Sequence, residues 1–163
     1  MSIAICPGSF DPITMGHLNI IRRTAKIFDK VVVCIMYNSG KTAPMFTIDE
    51  RVEMVRKVVD RFDNVEVDTS DGLLAEYAKQ YEGAVLVKGL RATSDFEYEF
   101  QMNLINKKIN PALETMFLTS SEKYTFLSSS AVREMAYYGA DLTGLVPYEI
   151  IDEVETKAKQ WRR

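Results

Sequence analysis

The chain has 163 residues, with 20 Lys plus Arg against 23 Asp plus Glu, one His and a formal net charge of -3. With 47% hydrophobic and 26% charged residues it has the composition of a folding chain, not a disordered or fibrous one, and its length fits a single domain over 1–163 with room for a core. A mildly acidic chain has no global field for DNA, RNA or an anionic membrane; the run Val31 to Met36 is far too short to cross a bilayer, and nothing in Met1 to Cys6 directs export, so a cytoplasmic protein is expected, with no nucleic-acid or membrane partner.

Short β-branched runs alternate with helical spacing, the pattern of βαβ units. The first strand, Ile3 to Cys6, runs into Pro7-Gly8-Ser9-Phe10-Asp11-Pro12-Ile13-Thr14-Met15-Gly16-His17 and then a helix on which Leu18, Ile21, Ala25 and Phe28 share a face. Strand Val31 to Tyr37 leads through Asn38, Ser39, Gly40 and Lys41 to a helix from the capping box Thr47 and Glu50 to about Phe62. Strand Val65 to Asp68 precedes a helix over roughly Gly72 to Tyr81. Strand Ala84 to Lys88 is followed by Gly89, Leu90 and Arg91, then a helix from the capping box Ser94 and Glu97 to about Ile109. After strand Thr115 to Thr119 and Ser120, the run Ser128, Ser129, Ser130 opens a helix ending near Gly139, a C′ glycine, and a last helix spans Tyr148 to Trp161. Five strands with crossover helices predict an α/β fold, a single-domain doubly wound five-stranded parallel sheet with C-terminal helices, whose ligand crevice lies beyond the carboxyl ends of the strands.

The unusual residues fall at those ends. Gly8 permits a tight turn and close backbone approach, Ser9 offers a hydroxyl, and the N–H groups at the helix start can hold a phosphate. His17, the only histidine, falls in the first helical turn, where the positive dipole end disfavours protonation and leaves a ring N–H as donor. A lone histidine is more often structural; its place behind a glycine loop at a predicted crevice points to function. Lys41, Lys88, Arg91 and the serines add cations and hydroxyls suited to phosphates. Each has a plainer reading: Lys41 as a solvated loop lysine, Arg91 as an ion pair with Asp95 or Glu97, one serine as an N-cap, Glu99 as a solvated helical face. Cys6 and Cys34 sit in strand-like runs without a ligand-spaced partner and are read as buried thiols in a reducing compartment, a disulfide between them being the alternative. Walker, G-x-G-x-x-G, G-x-S-x-G and zinc patterns are absent. What remains is chemistry that positions and neutralises phosphates.

Pro7-Gly8-Ser9-Phe10-Asp11-Pro12 with Thr14-Met15-Gly16-His17 resembles the T/H-x-G-H signature of the nucleotidyltransferase superfamily, and Ser128 to Ser130 with Arg133 resembles its serine-rich second signature. With Lys88-Gly89-Leu90-Arg91 and Asp95-Phe96-Glu97-Tyr98-Glu99, the chain resembles the bacterial phosphopantetheine adenylyltransferase family over nearly its full length. The resemblance implies a Rossmann-like nucleotidyltransferase fold and transfer of AMP from ATP to 4′-phosphopantetheine, giving dephospho-coenzyme A and pyrophosphate by direct in-line attack. It also implies Mg²⁺ arriving with ATP and not on protein side chains, a homohexamer, and feedback by coenzyme A.

Position by position, the resemblance makes His17 the catalytic residue that stabilises the pentavalent phosphorus. It assigns Ser9 to both substrates and Phe10, His17, Gly89, Leu90, Arg91, Glu99, Tyr124, Thr125, Phe126, Leu127, Ser128, Ser129 and Ser130 to ATP. Lys41, Leu74 and Lys88 are assigned, with Ser9, to phosphopantetheine. Leu74, on an apolar helical face, reads from its spacing as core. The chain departs from the family in carrying Ser9 where Thr is common, Leu127 where Ile is common, and Lys88 in place of an arginine fork. A cytidylyltransferase, a nicotinamide mononucleotide adenylyltransferase and a non-catalytic nucleotide-sensing module are the rival readings.

Overall fold

The computed structural model describes residues 1–37, 40 and 43–162, and of residues 93 and 94 the backbone only. Lys41, Asn38 and Ser39 of the sequence reading lie outside the described residues. In chain order the elements are β1 (Ile3–Gly8), α1 (Met15–Ala25), β2 (Lys30–Met36), α2 (Ile48–Val59), β3 (Val65–Ser70), α3 (Leu74–Tyr77), β4 (Val85–Leu90), α4 (Thr93–Ile109), β5 (Glu114–Thr119), α5 (Ser129–Tyr137) and α6 (Ile151–Trp161). Single 3₁₀ turns stand at Ala78–Gln80, Glu122–Tyr124 and Tyr148–Ile150.

All five strands are parallel, in the order β3-β2-β1-β4-β5. The chain builds outward from β1 to β3 and then returns to the other side of β1, so the order reverses between β1 and β4. Alternate residues divide the core. Ala4, Cys6, Val31, Val33, Ile35 and Val87 face α1, α2, α5 and α6, whereas Ile5, Val32, Cys34 and Leu86 face Ala75 and Tyr77 of α3, with Leu113 and Ile109. Both faces of the sheet are therefore covered, which explains why its inner strands β2, β1 and β4 carry continuous apolar runs while the edge strands β3 and β5 do not.

Cys6 and Cys34 point to opposite faces, and both are free. That geometry removes the disulfide alternative. Burial pushes each thiol up to about 12, so both stay protonated at neutral pH.

Several boundaries differ from the sequence reading. Pro7 and Gly8 still pair with Cys34 and Ile35, and Gly89 and Leu90 with Leu118 and Thr119, so both glycines lie within strands, Gly8 as the last residue of β1 and Gly89 one before the end of β4. A Cβ on Gly89 would lie 3.0 Å from Ile20 Cγ1; its absence lets α1 pack directly on β4. Between β1 and β4 the pairing stops at Ile5, which opens the sheet at the carboxyl ends of these two strands. The predicted helix Gly72 to Tyr81 contracts to the four residues of α3 and a 3₁₀ turn, because Leu73 at its N-cap has no side-chain acceptor.

Helix α4 begins at Thr93 with Ala92 as its N-cap, so position 94 lies inside the helix and not at the cap that the predicted box requires. The carboxylate of Asp95 instead accepts from the Arg91 backbone N–H at 3.2 Å. The Thr47 and Glu50 box is present in both directions, and Gly139, at φ +74°, follows α5 as expected.

Candidate active site

Three remote segments meet at the carboxyl ends of β1 and β4. The Arg91 guanidinium donates to the Leu127 carbonyl at 2.9 Å, Ser129 Oγ donates to the Pro12 carbonyl at 2.8 Å, and Arg133 donates to the Asp11 carbonyl at 2.7 Å. A Cβ on Gly16 would sit 3.7 Å from Tyr124 Cβ, so the segment that carries the serines also closes over the residue preceding His17. The β1–α1 loop, the β4–α4 connection and the stretch 124–130 thus form one wall. This is the topological switch point at which doubly wound sheets bind ligands.

His17 occupies the N3 position of α1, behind Thr14 at the N-cap, and together they form a capping box that the sequence reading did not foresee. The Thr14 backbone N–H donates to His17 Nδ1 at 2.9 Å, while Thr14 Oγ1 accepts from the His17 backbone N–H at 3.3 Å. A backbone N–H can only donate, so Nδ1 is the unprotonated nitrogen and the neutral ring carries its proton on Nε2. The Phe10 ring, 5.0 Å from the imidazole between centroids, limits its rotation. His17 is therefore held as a donor with a fixed tautomer.

The first-turn N–H groups are fewer than a bare helix start provides. That of Met15 goes to the Leu145 carbonyl and that of His17 to Thr14, which leaves Gly16. At α5, Ser128 is the N-cap and accepts from the Ala131 N–H at 3.1 Å. Ser130 Oγ accepts from Arg133 at 3.1 Å, and Ser129 is spent on Pro12. Two of the three hydroxyls thus fix backbone and the third holds the Arg133 guanidinium, and the N–H groups of Ser129 and Ser130 are the donors that helix geometry leaves over.

Arg91 pairs with Asp95 at 3.0 Å, as its plainer reading held, yet the same guanidinium reaches Leu127, so it does both. Lys88 lies on the other face of the sheet, beside Leu86, and its ammonium bonds Glu99 Oε2 at 2.6 Å with both side chains mostly buried. Leu74, half-buried, packs into the apolar cluster of that face. Ser9 and Phe10 follow directly on the last residue of β1. Tyr124 and Leu127 are buried, and Thr125 and Phe126 are exposed.

Two residues without a role in the sequence reading hold this wall together. Asp11, 3% exposed, accepts from the backbone N–H groups of Met45 and Phe46 at 3.0 and 2.9 Å. Arg51, 5% exposed, donates to the carbonyls of Phe46 and Ser9, each at 3.0 Å. The signal for Arg51 was its position in the stripe Arg51, Met54, Val55, Val58, the buried face of α2.

A family model described as cytidylyltransferase-like matches residues 5–135 of the chain. A phosphopantetheine adenylyltransferase from Caldanaerobacter subterraneus subsp. tengcongensis is 51% identical over 160 residues, 98% of this chain and 99% of that protein. One from Clostridium tetani is 50% identical over 158 residues, 97% of this chain and 98% of that protein. Among solved structures, a Vibrio parahaemolyticus protein assigned as a nicotinate-nucleotide adenylyltransferase superposes with a TM-score of 0.70 at 19% identity, covering 99% of this chain and 96% of its own, which speaks to the fold alone.

Proposed function

We propose a mechanism from one premise: the chain belongs to the phosphopantetheine adenylyltransferases, within the cytidylyltransferase-like family. It is an adenylyltransferase of coenzyme A biosynthesis, moving AMP from ATP to 4′-phosphopantetheine with release of pyrophosphate. The observation that carries the residue-level reading is the convergence of the His17 loop, Arg91 and the serine segment at the β1/β4 switch point.

A phosphate monoester is already anionic at neutral pH, so its oxygen attacks the α-phosphorus of ATP without a general base. A bond forms from that oxygen to the α-phosphorus as the bond to the bridging oxygen breaks, and the electron pair leaves with pyrophosphate. The protein's task is to hold the two anions in line and take up the charge that accumulates on the α-phosphate. His17 Nε2–H donates to that charge. Ser9 contacts both substrates, and Phe10 contributes its backbone N–H. The N–H groups of Ser129 and Ser130, with Arg91, hold the nucleotide phosphates, while Gly89, Leu90, Glu99 and 124–127 border the rest of ATP. Lys88, Leu74 and Lys41 serve phosphopantetheine.

The nearby carboxylates do not fit a resident metal site. Asp11 is engaged by two N–H groups, Asp95 by Arg91 and Glu99 by Lys88. Mg²⁺ enters in this reading as part of the nucleotide substrate.

The chain works as a homo-oligomer, a hexamer by family resemblance, in the cytoplasm. On the outer face of α4, Phe96, Phe100 and Leu104 stand exposed one turn apart. The side-chain oxygens of Asn103 and Thr115 lie buried there without a partner among the described residues. A second copy covers such a surface better than water does. Among the described residues no helix is long and apolar enough to cross a membrane.

The test is pyrophosphate release from ATP with 4′-phosphopantetheine, nicotinamide mononucleotide or no acceptor, and with CTP replacing ATP. Turnover confined to ATP with phosphopantetheine is expected. Faster turnover with another pair overturns the reading, and a monomeric mass in solution overturns the oligomer.

A further inference from the structure

We infer that Arg51 is a positioning residue for the transfer step, acting through the Ser9–Phe10 peptide to aim the Phe10 N–H at substrate phosphate. The inference deepens the reading above and rests on it.

Arg51 is a buried cation whose hydrogen-bond partners among the described residues are all backbone. Its Nε donates to the carbonyls of Phe46 and Thr47 at 3.0 and 3.4 Å, and Nη1 donates to the Ser9 carbonyl at 3.0 Å. Among the described residues no carboxylate lies within ion-pair distance of it. A guanidinium taken out of water without a counter-charge is costly, and packing alone would favour an apolar residue at this place in the stripe of Met54, Val55 and Val58.

The geometry at Ser9 shows what the cation accomplishes. The Ser9–Phe10 peptide is trans, so its C=O and N–H point in opposite directions. With the carbonyl drawn to Arg51, the Phe10 N–H must face away from α2. No backbone acceptor among the described residues takes it. Phe10 itself has φ +49°, in the left-handed region that a bulky residue occupies only when its surroundings impose it. They do so on both sides: Arg51 holds the preceding carbonyl, and the Asp11 carboxylate anchors the following residue to the N–H groups of Met45 and Phe46. The Phe10 side chain fills the space that a Cβ on Gly8 would approach within 3.0 Å, which prevents the peptide from flipping freely. A donor oriented in advance costs no reorganisation during transfer and acts mainly on the transition state. The positive charge directly behind the carbonyl polarises the peptide further in the same direction.

The experiment measures steady-state kinetics with ATP and 4′-phosphopantetheine for wild type, Arg51→Lys, an amide-to-ester replacement at the Phe10 nitrogen, and the combination. Lysine keeps a charge near Ser9 but cannot hold Phe46, Thr47 and Ser9 together. Arg51→Lys is expected to lower kcat at least tenfold with KM for each substrate within threefold. The ester, which removes the N–H, is expected to lower kcat by a similar factor, and adding Arg51→Lys to it is expected to cost less than threefold more, because both act through one donor. A wild-type kcat in Arg51→Lys overturns the inference, as do independent, multiplying losses in the combination. Should Arg51→Lys fail to fold, the ester alone decides, and an unchanged kcat there overturns the inference. If wild type itself does not turn over phosphopantetheine, it is the functional reading that has failed, and the two failures stay distinct.

Discussion

His17 occupies a helix position where a different residue would be more stabilising, and the trade can be measured. At N3 of a capping box the favoured side chain is Glu or Gln, which reaches back to the N-cap N–H as the imidazole does here at 2.9 Å. No acidic residue stands in the first turn of α1, so its positive end is not offset. In His17→Glu the backward bond is kept and a negative charge is gained at the dipole's positive end, for about 0.3–1 kcal/mol. For a chain of this length that is a rise in Tm of about 1–3 °C. The same substitution removes the Nε2–H donor, worth about 10²–10³ in kcat when a preorganised donor to developing charge is lost, and sets a carboxylate against phosphate. His17→Gln separates the terms: its amide oxygen takes the Thr14 N–H, its NH₂ points where Nε2–H did, and stability should match wild type with part of the activity kept. The assays are thermal melting and pyrophosphate release at saturating substrates. A His17→Glu protein that melts several degrees below wild type, or keeps kcat within tenfold, refutes the assignment of His17 as a capping-box residue chosen for its outward donor.

Ser128→Ala removes the side-chain cap of α5, so urea unfolding should show a loss of about 1 kcal/mol with the ATP KM raised, whereas Ser130→Ala loses only a bond to an arginine already held by Asp11 and should stay within about 0.5 kcal/mol. Both thiols should resist a thiol reagent at pH 8 in the native protein and react after unfolding. Their pKa values stand raised to about 12, so this contribution to stability is fully present below the ordinary value of 9.0 and declines as pH climbs from there toward 12, where the unfolded chain ionises and the native one does not. Urea midpoints at pH 8 and 10.5 should therefore differ less in Cys34→Ala than in wild type. Glu50, held below the ordinary carboxylate range first by its bond to Lys157, has the opposite sign: its share of stability is present above about pH 4.5 and disappears on further acidification, a loss that Lys157→Met should reduce in an acid unfolding titration.

The sheet was legible because its inner strands are apolar on both faces, as in the run Val31 to Ile35. The switch point followed from the alternation of elements. Boundaries were less legible wherever tertiary contact overrode local preference. Glycine at 8 suggested a turn and Gly89 was placed beyond its strand, yet both pair within strands, with a neighbour, the Phe10 ring or Ile20, in the space of the missing side chain. The α4 start was misplaced because Ser94 and Glu97 have the spacing of a box, while the contact that matters there is Asp95 folding back on Arg91. The side-chain pattern marks Arg51 only as a cation in an apolar stripe and Asp11 not at all; their roles lie in backbone partners, the Ser9 carbonyl and the Met45 and Phe46 N–H groups, that leave no trace in the sequence.

Those backbone partners change what the serine run and the glycine loop mean. From the sequence, hydroxyls and cations looked like the phosphate ligands. In the folded chain Ser128, Ser129, Asp11, Arg51 and Arg133 are all spent on positioning main chain, and Ser130 on the Arg133 guanidinium. In the proposed reading, what then meets the phosphates is mainly a set of N–H donors, at Phe10, Gly16, Ser129 and Ser130, beside the His17 imidazole of fixed tautomer, the Ser9 hydroxyl and the Arg91 guanidinium. Backbone donors carry no net charge and cannot swing away, so they suit a reaction in which negative charge moves between oxygens while its total stays constant. A ring of free lysines would bind product pyrophosphate as tightly as the transition state and would slow its release. The substitutions that matter most for rate should accordingly include buried residues that never meet the substrate, and their effect should fall on kcat before KM.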